Sequence, residues 1–129
     1  MNLSGIDHVA LAVPDIERTA AWYVEVLGLE RQHAGEWGGV PTFVGKGSTG
    51  LALFPRDETV NRGESGAMLH LAFRTDCEGF VSAQKELRER KIPFQFEDHG
   101  ISHSIYFRDL NDLRLEITTY EVAERSLGR

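Results

Sequence analysis

Two copies of one pattern constrain this chain more than any other feature. The first copy is Ile6-Asp7-His8-Val9-Ala10-Leu11-Ala12-Val13, and the second is Met68-Leu69-His70-Leu71-Ala72-Phe73, followed by Arg74 and Thr75. Each leads into an Asp, Asp15 or Asp76, and then into apolar residues at helical spacing. Each half returns through short strand-like runs, ending in Gly50-Leu51-Ala52-Leu53-Phe54 and in Leu113-Arg114-Leu115-Glu116-Ile117-Thr118. A repeat of this order predicts two related modules, each placing one His, with a carboxylate added by the second. Two imidazoles and one carboxylate form a ligand set that holds a divalent metal with open positions.

The elements follow from periodicity. Residues 6–13 alternate as a strand does, Pro14 helps to end it, and Asp15 is placed to cap a helix. Ile16, Ala20, Tyr23 and Leu27 recur at helical spacing, and Gly28 supplies the stop. Short strands are expected near 29–34, 40–45 and 50–54. In the second half a strand covers 68–74, and Asp76 caps a helix with Phe80, Ala83 and Leu87 on its buried face. Pro93 closes that segment, strands near 94–97, 103–108 and 113–118 follow, and a last short helix is expected over 121–127. The order βαβββ, twice, is an α+β layout: paired modules whose helices cover a strongly curved, U-shaped mixed sheet. The expected organisation is one domain over 1–129, built of modules at about 4–55 and 66–120 with a short C-terminal extension. The polar stretch Arg56 to Gly66 joins them.

Strand parity indicates what the His residues face, because successive side chains point to opposite sides. His8 shares a face with Ala10 and Ala12, and His70 with Met68, Ala72 and Arg74. Ala52 and Phe54 oppose Leu51 and Leu53. Arg114, Glu116 and Thr118 oppose Leu113, Leu115 and Ile117. The bulky aliphatic face suits packing on helices. The other face carries alanines, both His and Glu116, which describes a hollow around ligands. The alternative is that the alanines fit a tight sheet curvature.

Bulk properties set limits. A chain of 129 residues can bury a real core as one domain. The formal net charge of −6 argues against non-specific nucleic-acid binding, which needs a basic surface. A single cysteine, Cys77, cannot form an internal disulfide, and no apolar run reaches membrane length. With no leader pattern at its start, the chain is expected in the cytoplasm, without a membrane or nucleic-acid partner. Lys85, Glu86, Arg88, Glu89, Arg90 and Lys91 form a solvated helix face. Trp22 and Tyr23 pack the first helix. Glu36-Trp37 lies in a glycine-containing turn that either borders the cavity or is surface.

The sequence resembles the vicinal oxygen chelate superfamily, which includes glyoxalase I, bleomycin-binding proteins, fosfomycin-resistance enzymes, methylmalonyl-CoA epimerases and extradiol ring-cleaving dioxygenases. The residues carrying the resemblance are Asp7-His8-Val9-Ala10-Leu11, Trp22-Tyr23 with Leu27-Gly28, His70-Leu71-Ala72, and Ser104 to Asp109 leading to Leu115-Glu116. It covers residues 5–120. It implies paired modules around a metal or ligand, with His8, His70 and Glu116 as metal ligands, a small-molecule substrate and pairing into a homodimer.

Ligand count narrows what the resemblance implies. Glyoxalase I and the epimerases usually take a fourth ligand from the last strand of the first module, where this chain has Ala52. Extradiol dioxygenases and fosfomycin enzymes use three. The segment from His99 to Tyr106 is similar to the extradiol motif, with Glu116 ten residues after Tyr106. His99 and Tyr106 are then the catalytic candidates, for proton movement and for hydrogen bonding to a substrate oxygen. His99 has a second reading as a solvated loop residue, and His103 is read as one. The match departs at Leu110, where the motif has Pro, and at Asp112, where it has Gly. Residues 55–67 hold no His, so ring cleavage requires a base other than the one the larger dioxygenases place there. The implied activity is oxygenolytic cleavage of a catechol-type substrate with Fe²⁺, with Mn²⁺, Ni²⁺ or Zn²⁺ as other candidate metals. The alternatives are a fosfomycin-type addition, a glyoxalase-like lyase or isomerase, and a non-enzymatic drug-binding protein. Fosfomycin enzymes share the Ser-x-Tyr-Phe-x-Asp run but carry Thr where this chain has Ala10.

Overall fold

The computed structural model describes residues 1–56 and 68–122. The joining segment beyond Arg56 and the helix expected over 121–127 lie outside the described residues, apart from Glu121 and Val122, which are not helical. The chain divides into two compact units, Met1–Glu64 and Ser65–Arg129.

The first unit runs β1 (His8–Val13), α1 (Ile16–Leu27), β2 (Glu30–Gln32), β3 (Thr42–Lys46) and β4 (Thr49–Pro55). Its sheet order is β1-β4-β3-β2, with β1 and β4 parallel and the other pairs antiparallel. Asp15 caps α1 by accepting a hydrogen bond from the Arg18 amide at 3.0 Å. Gly28 ends the helix in the left-handed region (φ 72), returning its amide to the last turn. Thr19, Ala20 and Tyr23 form the buried stripe of α1. Leu11, Val13, Val44, Leu51 and Leu53 are buried sheet residues of the same unit, as the aliphatic face predicts.

The second unit repeats this order with β5 (Leu71–Arg74), α2 (Cys77–Glu89), β6 (Gln95–Asp98), β7 (His103–Arg108) and β8 (Arg114–Thr119). Its order is β5-β8-β7-β6, again with one parallel pair, β5 with β8. Asp76 caps α2 through the Gly79 amide at 2.8 Å. Phe80 and Leu87 are buried, while the charged face from Lys85 to Lys91 is exposed as expected.

Two edges differ from the sequence expectation. The first strand of each unit starts later than 6 or 68, because parallel pairing begins at His8↔Gly50 and at Leu71↔Leu115. His70 therefore precedes its strand. Leu69, expected on the packed face, is 77% exposed because it lies outside that pairing. His103 is not a solvated loop residue. It opens β7 opposite Asp98 and Thr119, half-buried, with Nε2 3.5 Å from the Asp98 carboxylate and its ring edge-on to Phe96.

Both motif departures, Leu110 and Asp112, lie in the hairpin before β8. The Asp109 carboxylate accepts from the amides of Asn111 (2.7 Å) and Leu113 (2.9 Å), so the side chain itself builds the turn. Asp112 takes a positive φ of 69, the conformation in which a glycine is unstrained.

Candidate functional site

Register aligns the units residue by residue. Ala10 pairs with Ala52 in the first, and Ala72 with Glu116 in the second. His8 and His70 each stand two residues before that alanine, so they occupy equivalent positions. Ala52 is the counterpart of Glu116, and Phe43, opposite Ala52, is the counterpart of Tyr106, opposite Glu116.

In the first unit, His8 Nδ1 lies 2.9 Å from the Asp7 carboxylate. A carboxylate on Nδ1 fixes the tautomer and leaves Nε2 with its lone pair, the form in which imidazole binds metals. The His8 ring also meets Phe43 edge-on at 5.2 Å, and His33 and Trp37 pack on the same Phe43 at 5.0 and 5.4 Å. Trp37 is 55% exposed in the 3₁₀ turn Trp37–Gly39. Its exposure agrees with the surface reading, and its ring packs on Phe43.

The second unit gathers the remaining candidates. His70 Nε2 lies 2.9 Å from Glu116 Oε1. The other carboxylate oxygen, Oε2, accepts a hydrogen bond from the Ser104 hydroxyl at 2.6 Å, and Ser104 also bonds Thr118. Glu116 and Ser104 are both buried. The buried carboxylate is thus held on both oxygens, which lowers the cost of placing it there. His70 Nδ1 is buried without a hydrogen-bond partner among the described residues.

Tyr106 stands beside this pair, with its ring edge-on to His70 at 5.8 Å. Its hydroxyl and His99 Nε2 share a hydrogen bond of 3.0 Å. Burial pushes the phenol pKa above its ordinary value, and the negative charge of Glu116 pushes it further up. Tyr106 therefore keeps its proton at neutral pH. His99 is an exposed side chain at the end of β6, 3.8 Å from Glu97. The Arg114 guanidinium lies over the Tyr106 ring, 4.1 Å from its centroid.

His70, Glu116, Tyr106 and His99 thus form one connected group. Two supporting residues were not singled out as such from sequence: Asp7, which the Asp-His dipeptide offered, and Ser104, whose parity with Tyr106 on the same strand offered it. Two of the group's members, His70 and Glu116, have the donor chemistry of metal ligands. Two neighbouring ligands with bonds of about 2.0–2.1 Å at right angles stand roughly 3 Å apart, and His70 Nε2 and Glu116 Oε1 have that separation. No group of three metal-ligating side chains is gathered among the described residues.

Residues 5–117 match the model of the Glyoxalase/Bleomycin resistance protein/Dioxygenase superfamily. The chain belongs to this superfamily. Among curated relatives, human mitochondrial methylmalonyl-CoA epimerase is 33% identical over 101 residues, 70% of this chain. This chain spans 56% of that epimerase's length. The metallothiol transferase FosB of Staphylococcus epidermidis is 25% identical over 132 residues, covering 97% of this chain and 88% of its own. A solved glyoxalase family protein from Bacillus anthracis shares the fold, with a TM-score of 0.73 and 21% identity over 92% of this chain and 97% of its own. Both named relatives are enzymes, and one name records a metal. No described helix is long and apolar enough to cross a membrane.

Proposed function

We propose that this superfamily member is a metal-dependent enzyme that cleaves a catechol-type ring with dioxygen. His8, His70 and Glu116 hold the divalent metal, Fe²⁺, and His99 and Tyr106 handle protons. The observation that carries this proposal is the 3.0 Å hydrogen bond between His99 Nε2 and the Tyr106 hydroxyl, on the residue directly opposite Glu116. The ion supplies Lewis acidity that ionises the substrate hydroxyls, and in the ferrous state it supports reaction with dioxygen. Tyr106, kept protonated by burial and by Glu116, donates to an anionic substrate oxygen. His99 accepts or returns a proton through the same hydroxyl, in the role that no His in residues 55–67 can take. Ser104 orients Glu116. Ala52, the counterpart of Glu116, adds no fourth ligand, which leaves room for a bidentate substrate and argues against the epimerase-type arrangement.

The test is oxygen uptake and a yellow ring-opened product from catechols with anaerobically iron-loaded protein, compared with Tyr106→Phe and His99→Ala. No uptake with any catechol overturns the proposal. A second reading, addition of a thiol or water to an epoxide phosphonate, is favoured by the relation to FosB over nearly the whole chain. Epoxide opening by the Mn²⁺-loaded protein, without oxygen uptake, would establish that reading instead. The chain is further proposed to act as a homodimer, its two modules in one domain. Sedimentation of the full chain tests the oligomer.

A further inference from the structure

Arg108 and Arg114 are directly opposite each other on β7 and β8. Like charges in that position repel. The chain carries net −6, yet no described carboxylate pairs with either guanidinium. Arg108 spends one nitrogen on the Asp112 carbonyl at 3.1 Å. Arg114, half-buried, has the Tyr106 ring as its one partner among the described residues. The first unit has Gly45↔Gly50 in the same register, so the fold does not require arginine there. The two arginines share a face with Tyr106 and Gln95, and with these they line a cleft of ≈ 210 Å³.

A repulsive, uncompensated guanidinium pair in a cleft beside a catalytic candidate is what an oxyanion would neutralise, and the planar guanidinium fork matches carboxylate geometry. We propose that Arg114, assisted by Arg108, is a specificity-determining subsite for an oxyanion on the substrate, so that the substrate is a ring bearing a carboxylate. The ring and its location rest on the proposed ring cleavage, whereas the anion subsite rests on the arginines.

The test is calorimetric binding of 4-hydroxybenzoate, 4-hydroxyphenylphosphonate and phenol to the full chain. The anionic phenols are expected to bind about 10- to 100-fold tighter than phenol, the range of a charge-assisted contact. Arg114→Gln should remove most of that preference and leave phenol unchanged, and Arg114→Lys should restore part of it. Stronger binding of the phosphonate than of the benzoate would assign the oxyanion to a phosphonate source and overturn the carboxylate. Equal binding of all three by the parent, or equal weakening of all three in Arg114→Gln, would overturn the subsite, the latter showing that Arg114 only supports Tyr106. Should Arg114→Gln not fold, the parent's preference must fall with added salt, and a salt-independent preference would overturn the subsite. Oxygen uptake plays no part in these measurements. Anion preference without oxygen uptake from any catechol would sink ring cleavage and keep the subsite. Oxygen uptake without anion preference would do the reverse.

Discussion

In the first unit, β4 sets Ala52 between Ala10 and Phe43; in the second, β8 sets Glu116 between Ala72 and Tyr106. Where the second unit opposes Arg108 and Arg114, the first opposes Gly45 and Gly50, packed so closely that a Cβ on Gly45 would meet the backbone of Thr49 and Gly50. One backbone register therefore carries two different surfaces. The first unit is apolar or bare at these positions and contributes His8. The second carries the carboxylate, the phenol and the cations. The comparison shows that β-pairing fixes where a side chain stands, and that the residue placed there decides whether the position is apolar or carries polar chemistry.

The largest expected effect comes from making the second unit resemble the first at its carboxylate. Glu116→Ala removes the partner of His70 and of Ser104. Metal affinity should fall by more than about 100-fold, since even outer partners of ligands cost 10–100-fold. Metal analysis after dialysis reads this directly. Retention equal to that of the parent would break the proposed division between the units.

Tyr106→Phe is the next substitution in the same direction, since Phe43 is the first unit's residue at that register. Turnover should fall by about 10²–10⁴-fold, the range for loss of a positioned proton donor, with metal content unchanged. The same variant tests the raised phenol pKa. The folded state holds that proton more tightly than the unfolded state, where the value is ordinary, 10.0. This stabilisation is fully present below pH 10 and is lost as pH rises through the folded value. Denaturant unfolding above pH 10 should show a decline in the parent that is smaller in Tyr106→Phe. Identical alkaline declines would remove Tyr106 as their source.

Ser104→Ala should have a smaller effect. It leaves Glu116 in place but takes the hydroxyl from Oε2. Metal affinity should drop about 10-fold, as for other supporting partners, and stability by about 1–2 kcal/mol for the unsatisfied buried oxygen. An unchanged metal affinity would mean that Glu116 needs no second contact to hold its orientation.

Much of this contrast was legible in the sequence because a repeat exposes equivalences. The two copies of the strand pattern, each with one His, located His8 and His70. Alignment with Glu116 identified Ala52 as its counterpart. The family resemblance named His99 and Tyr106 as catalytic candidates, but their 3.0 Å contact emerges only once β6 and β7 are paired. Both helix caps followed from Asp15 and Asp76. What stayed hidden depends on partners distant in sequence. The burial of His103 comes from Asp98, Thr119 and Phe96, and parity gave Arg114 a face without revealing that no described carboxylate meets it. The aromatic group of His33, Trp37 and Phe43 needed β2 and β3 to be paired before it existed.

The smallest effect separates the two β-hairpins. Between β3 and β4 the turn uses Gly47 at φ 59; between β7 and β8 it uses Asp112 at φ 69. The same left-handed conformation is free of strain in the first and strained in the second, because a Cβ crowds the following carbonyl. Nothing offsets that strain through the Asp112 carboxylate, which makes no hydrogen bond among the described residues. Its backbone makes the useful contacts, the amide to Asp109 O at 3.0 Å and the carbonyl to Arg108 at 3.1 Å. A glycine keeps both. Asp112→Gly should therefore raise stability by about 0.5–1 kcal/mol, after the greater freedom glycine gives the unfolded chain is counted. Gly47→Ala, the converse change in the other hairpin, should lower stability by a similar amount. The denaturation midpoints of the two variants should move in opposite directions. Movement in the same direction would show that the hairpins are not equivalent in backbone strain.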